Sequence, residues 1–208
     1  MSLQALVINC TLKKSPEESN TEALIQDVVS IFNEQEDIST EIIRAVDYNI
    51  AFGMSPDEGD GDQWPDIFEK VRAADILLIG TPIWLGEKSS VATQVIERLY
   101  ACSSMTNEKG QYLYYNKVGG VIVTGNEDGA KEASRSVLYA LSHIGFTLPP
   151  NVDTYWVGEA GPGPSYIEAH GERNDFTRQH GRIMAYNLMH FARLLRNNPI
   201  PAQGNVVE

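Results

Sequence analysis

Four consecutive aliphatic residues, Ile76-Leu77-Leu78-Ile79, constrain the fold of this chain more than any other stretch. A run with no polar residue in either alternate position fits a strand covered on both faces, the usual state of a strand inside a parallel sheet. Helical patterns lie on both sides of it. Trp64 to Ala73 puts Ile67, Phe68 and Val71 on one face, and Ser89 to Cys102 does the same with Val91, Val95, Ile96 and Leu99.

The alternation continues along the chain. Ala5-Leu6-Val7-Ile8 reads as a first strand, and Asn20 to Phe32 as a helix with Leu24, Val28, Ile31 and Phe32 at helical spacing. Thr40 to Ala45 alternates weakly, as a second strand. Val118 to Thr124 is a fourth strand, whose two glycines signal close packing or a nearby ligand. Ala130 to Ile144 carries Ala133, Val137, Leu141 and Ile144 on one stripe, with Gly145 as the stop. Val152 to Val157 is the fifth strand, and Arg173 to Arg196 a long closing helix with Met184, Leu188, Phe191 and Leu195 inward. Strands alternating with helices imply a parallel sheet with right-handed crossovers. The expected fold is α/β: a flavodoxin-like doubly wound sandwich, strand order 2-1-3-4-5, helices on both faces. One domain over residues 1–208 suits this length. Ligands of such sheets bind outside the carboxyl ends of the strands, where the order reverses, here between strands one and three. The loops after Ile8, Ile79 and Val123 are therefore the ones to inspect.

Composition narrows the partners. A formal net charge of −12 argues against nucleic acid and against an anionic membrane surface, both of which reward a basic face. The longest apolar runs are about four residues, against the ~20 of a membrane helix. Nothing at the start resembles a signal peptide, and Cys10 and Cys102 are too few for a disulfide framework, so the reducing cytoplasm is the expected location. Cys10, ending a buried strand, reads as a small apolar filler. His143, His170, His180 and His190 show no spacing for a triad or a metal. The acidic run Asp57 to Asp62 lacks EF-hand spacing and reads as a solvated loop. Gly158 to Tyr166 is either a plain connection, a cover over the site or an intersubunit contact.

Each of the three loops has chemistry available. The first, Thr11 to Thr21, ends at a helix start, where free N–H groups and the positive dipole end accept phosphate. Thr11, Ser19, Asn20 and Thr21 add side-chain donors and Lys13 adds charge. Ordinary capping is the competing reading, because Ser19-x-x-Glu22 is a capping box. Neither a Walker loop nor a dinucleotide fingerprint is present. The second loop is Thr81-Pro82-Ile83-Trp84-Leu85-Gly86, in which Pro82 is expected to end strand pairing. Trp84 either lies against a planar ligand or anchors the loop in the core. The third is Thr124-Gly125-Asn126-Glu127-Asp128-Gly129, whose glycines let backbone approach a ligand, or which is simply a turn with Asp128 as helix cap.

Together these loops resemble the NADPH-dependent FMN reductase family of flavodoxin-like proteins. Thr11 to Thr21 match its loop for the ribityl phosphate, Gly80-Thr81-Pro82-Ile83-Trp84 one side of its flavin ring, and Thr124-Gly125-Asn126 the other edge. Lys13-Lys14 and Pro16-Glu17-Glu18 replace the compact Gly-Ser-x-Arg form common in that family. The resemblance implies FMN as cofactor, NADPH or NADH as electron donor, and a flavin, quinone or similar small molecule as acceptor. The flavin would carry the chemistry, with no catalytic side chain required and no metal. Leu85, Gly86 and Gly129 complete the expected cofactor-binding set. A flavodoxin-type electron carrier is the main alternative. A receiver domain is disfavoured, because Asn9-Cys10-Thr11 and Gly80-Thr81-Pro82 stand where it needs acidic residues. Self-association as a homodimer or homotetramer is expected from the closing helix and the run Tyr112-Leu113-Tyr114-Tyr115.

Overall fold

The computed structural model describes residues 2–161 and 163–207. In chain order the elements are β1 (Leu3–Asn9), α1 (Asn20–Asn33), β2 (Ile38–Arg44), α2 (Trp64–Ala73), β3 (Ile76–Trp84), β4 (Glu87–Lys88), α3 (Ser90–Ala101), β5 (Val118–Gly125), α4 (Ala130–His143), β6 (Asp153–Val157) and α5 (Asp175–Asn197). Five strands form a parallel sheet in the order β2-β1-β3-β5-β6, while β4 pairs only with the end of β3. Setting the two-residue β4 aside, this is the expected flavodoxin-like 2-1-3-4-5 sheet.

Both faces of the sheet are buried, as the uninterrupted run in β3 requires. Successive strand residues point to opposite faces. Leu77 and Ile79 join Leu6, Ile8, Val121 and Val123 under α2, α3 and α4. Ile76 and Leu78 join Val7 and Ile122 under α1 and α5. The Gly119-Gly120 pair in β5 serves packing: a Cβ on Gly120 would lie 2.8 Å from the Val152 carbonyl and 2.9 Å from Leu78. The closing helix begins at Asp175, after Asn174 caps it by accepting from the Thr177 amide. Among the described residues no helix is long and apolar enough to cross a membrane.

One expectation fails in β3. Pro82 does not end the strand; pairing with β5 runs on to Pro82↔Thr124 and the strand to Trp84. The reason is directional. Gly80 turns its polar backbone toward β1, where its carbonyl accepts from the Cys10 amide. Pro82, two residues on, turns the same way, but β1 pairing has stopped at Asn9↔Gly80. The missing N–H of Pro82 thus lies beyond the end of the β1 ladder and costs no ladder bond.

The run Tyr112 to Tyr115 is only partly at the surface. Tyr114 is fully buried, stacks on Phe146 with centroids 4.9 Å apart and donates its hydroxyl to the Leu99 carbonyl. The apolar face of α5, with Met184, Leu188 and Ala192, lies against the sheet.

Candidate functional site

At its carboxyl end β1 leads to α1 on one face of the sheet, whereas β3 leads to α3 on the other. The chain parts there and leaves a cleft of about 230 Å³. The first loop contributes Thr11, Leu12, Lys13, Asn20 and Thr21; β3 contributes Pro82, Ile83 and Trp84; and the end of β5 contributes Thr124, Gly125, Asn126 and Glu127. Trp156, Ser165 and Tyr166 close the remaining side.

The first loop is fixed by polar groups within it and beside it. Asn9, buried at the end of β1, accepts from the Thr11 amide (3.1 Å) and donates to Glu22 Oε2 (3.2 Å). Ser19 caps α1 by accepting from the Glu22 amide at 3.2 Å, so the capping reading of this residue holds and its side chain does not line the cleft. The amides of Asn20 and Thr21 have no acceptor among the described residues, which leaves donors at the positive end of the helix dipole. Lys13 turns back into its loop: its amine donates to the Glu18 carbonyl at 3.0 Å and lies 3.6 Å from the Glu17 carboxylate. The outer limb is held by Ser15, whose hydroxyl and amide both donate to Asp47, and the hydroxyl bond above all keeps that carboxyl below the usual range.

Trp84 is 54% exposed, which removes the core-anchor reading. It ends β3 just before a two-residue hairpin, with Trp84 opposite Glu87 and both Leu85 and Gly86 at positive φ. Leu85 is the tip, 94% exposed, and its amide donates to Glu127 at 3.0 Å. Leu85 and Gly86 therefore shape the rim rather than line the cleft. Gly129 is also absent from the lining. A Cβ there would sit 2.4 Å from the Gly86 carbonyl oxygen, so Gly129 permits the hairpin to lie against the start of α4. Thr81 points inward: it is fully buried and its hydroxyl oxygen accepts from the Ser89 amide at 3.0 Å. Ser89 in turn donates to the Cys10 carbonyl at 2.7 Å, coupling the ends of β1 and β3. Cys10 itself is buried, and that burial pushes its thiol well above the usual range.

Leu12, Glu127, Trp156, Ser165 and Tyr166 escaped the sequence-based site. Trp156 had a usable signal, an aromatic near the carboxyl end of a strand, paired in register with Thr124. Its ring meets Tyr166 edge to face at 5.5 Å. Ser165 and Tyr166 belong to the segment Gly158 to Tyr166 after β6, and its cover reading fits where these two lie. Asn126 donates to the Gly163 carbonyl (2.9 Å), Ile167 donates its amide to Asn20 Oδ1 (2.9 Å), and Tyr166 donates to Asp27 (2.5 Å). Burial first, then that bond to a carboxylate, raises the Tyr166 phenol. Among the described residues no cluster of three His, Cys, Asp or Glu could hold a metal ion.

Comparison with known proteins agrees with this architecture. The family described as NADPH-dependent FMN reductase matches residues 3–160. A protein of Mycobacterium bovis named divalent metal cation transporter MntH is 50% identical over 200 residues, 93% of this chain. The chain spans only 29% of that relative's length. The 8-demethyl-8-aminoriboflavin-5'-phosphate synthase of Streptomyces davaonensis is 40% identical over 96% of this chain and 80% of its own. A crystal structure of RosB with bound 8-demethyl-8-formylriboflavin-5'-phosphate superposes with a TM-score of 0.88 at 38% identity, covering 96% of this chain and 82% of that one.

Proposed function

Because the chain belongs to the NADPH-dependent FMN reductase family, a family of flavin-related oxidoreductases, we propose that it binds FMN in this cleft. There it takes hydride from NADPH or NADH and passes electrons to a small-molecule acceptor. The observation that carries the reading is the pair of amides, Asn20 and Thr21, with no acceptor among the described residues, at the same cleft that the end of β3, Pro82-Ile83-Trp84, lines. A terminal phosphate completes the first, and a planar ring suits the second.

The residues present fit that cofactor. Thr11 and the helix start would hold the phosphate, with Thr11 buried, its hydroxyl oxygen accepting from the Lys13 amide at 3.4 Å and its proton without an acceptor among the described residues. The backbone of residues 82–84 and 124–126 would border the ring, with Gly125 admitting Ile83 closely, since a Cβ there would come within 2.8 Å of it. A bound flavin supplies two-electron and one-electron transfer. The chain's part is to anchor, to orient and to shape access: Trp84 at the open rim, and the 163–167 segment on the far side. One helix N-terminus suits one terminal phosphate, hence FMN rather than FAD.

The test is the visible spectrum of freshly purified protein, followed by anaerobic NADPH and then NADH. Bound yellow cofactor that migrates as FMN and bleaches with either donor is the expected result. A colourless protein that takes up no added FMN would overturn the proposal. Bound FMN without nicotinamide oxidation would point instead to an electron carrier.

The 40% identity to an 8-demethyl-8-aminoriboflavin-5'-phosphate synthase, and the 8-demethyl-8-formylriboflavin-5'-phosphate bound as an intermediate in the RosB structure, favour a second reading, in which a flavin phosphate is itself the substrate. The same cleft would serve. The mass of the flavin recovered after incubation separates the two: unchanged for a cofactor, altered for a substrate.

A further inference from the structure

Arg44 sits at the end of β2, opposite Asn9 in the sheet register, and its side chain is 9% exposed. Nη1 donates to the Glu17 carbonyl at 2.8 Å and to the Lys13 carbonyl at 3.2 Å. Nη2 pairs with Glu22 Oε2 in the first turn of α1. Nε is buried with no acceptor among the described residues. One guanidinium thus gathers both limbs of the first loop and the start of the helix.

We propose that Arg44 is the residue that makes this loop selective for a phosphorylated flavin. It acts as a positioning residue and buried counter-charge, not as a phosphate ligand. The inference rests on the proposed FMN site. Two physical effects combine. Arg44 draws the Lys13 and Glu17 carbonyls to itself, so the amides sharing those peptide units, on Lys14 and Glu18, are directed away from it. The loop is thereby set before a ligand arrives. Arg44 also neutralises Glu22, a carboxylate in the turn whose free amides would receive the phosphate. Without the guanidinium, that turn would present one anion to another.

Lys13, the cation that the sequence pointed to, is less suited to this task. Its amine is spent on Glu17 and Glu18, and its side chain is 47% exposed, so solvent and salt screen it. Arg44 is fixed, screened little and always charged.

The experiment compares affinities for FMN and riboflavin in the full chain, by quenching of flavin fluorescence, for wild type, R44Q and E22Q. The wild type should prefer FMN. R44Q should lower the FMN-to-riboflavin preference by about tenfold or more, as expected for a counter-charge lost from a poorly screened site. E22Q removes the opposing carboxylate while keeping an acceptor for Arg44, and should raise the preference. A merely structural role would lower both affinities together and leave the ratio unchanged. R44Q with an unchanged ratio, or E22Q with an unchanged or reduced one, overturns the inference. If R44Q does not fold, E22Q decides alone. A wild type that binds FMN no better than riboflavin, or neither of them, overturns the proposed site itself and this inference with it.

Discussion

Thr21 and Thr124 bring their hydroxyl oxygens to 2.8 Å in a buried contact that joins the first turn of α1 to the end of β5. One hydroxyl donates and the other accepts, so two sides of the cleft are tied by a single bond. Thr21→Val keeps the shape but orphans Thr124, at a cost of about 1–3 kcal/mol. The urea midpoint should fall with the m-value unchanged. The double variant T21V/T124V should recover part of the loss, because neither partner is then left unsatisfied; a double variant no better than the single one would contradict this.

Gly129→Ala should be among the costliest single-methyl additions in the chain. The new Cβ would meet the Gly86 backbone, and φ at this position is +127°. Backbone strain alone is of the order of 1–3 kcal/mol. Acrylamide quenching of tryptophan fluorescence should also rise as the hairpin carrying Trp84 is pushed outward. Wild-type stability in this variant would show that the hairpin is free to move.

Trp84→Ala should separate turnover from folding. A buried tryptophan would cost about 3–5 kcal/mol on truncation, but this ring is half in solvent and should cost far less. Hydride transfer needs the reacting atoms about 3–3.5 Å apart, so loss of the rim should slow it steeply. Stopped-flow reduction by NADPH, read beside a thermal melt, checks both halves. An undiminished rate would remove Trp84 from the site.

Ser19 and Thr11, grouped together from the sequence, should behave differently. Ser19→Ala loses a cap and should cost about 1 kcal/mol of stability. Thr11→Ala should weaken FMN binding more than riboflavin binding, while the melt barely moves. Isothermal titration with the two flavins, alongside urea unfolding, distinguishes them.

Acid should loosen the 51–62 segment through Asp62. This carboxylate pairs with Arg98 at 2.8 Å, and both side chains are almost wholly buried. Burial pushes the Asp62 carboxyl up, yet the amides of Ala51, Glu58 and Trp64, with Arg98, more than offset this and hold it below its ordinary 3.8. The unfolded chain then binds the proton first. The stabilisation is complete above the unfolded value and is lost as pH falls through the lower folded one. Asp62→Asn should abolish that part of the pH dependence. It should also cost about 3–5 kcal/mol near neutrality by leaving Arg98 buried and unpaired. Denaturation curves taken across the acid range in both proteins would test the sign.

The sequence by itself determined the layered fold and the three loops that meet at the cleft. An unbroken aliphatic run such as Ile76 to Ile79, set between helical patterns, fits a strand hidden on both faces, and 3.6-residue spacing marks the helices that hide it. The order 2-1-3-4-5 is one that this alternation and right-handed crossovers fit, and the packed sheet shows it. The tertiary structure decided which side chain in each loop faces the cleft. Thr81 turns in while its neighbour Pro82 lines the wall, because side-chain direction reverses at every step along β3 and that phase is set by pairing with β5. It also decided that Ser19 caps, that Gly129 packs on Gly86, and that Lys13 folds back. Trp156, Tyr166 and Arg44 reach the site from strands and segments distant in the chain; Arg44 bonds a carbonyl 31 residues away. Local periodicity carries no information about such pairs. Their meeting depends on sheet register and on where each connection crosses, and those exist only once the whole chain has packed.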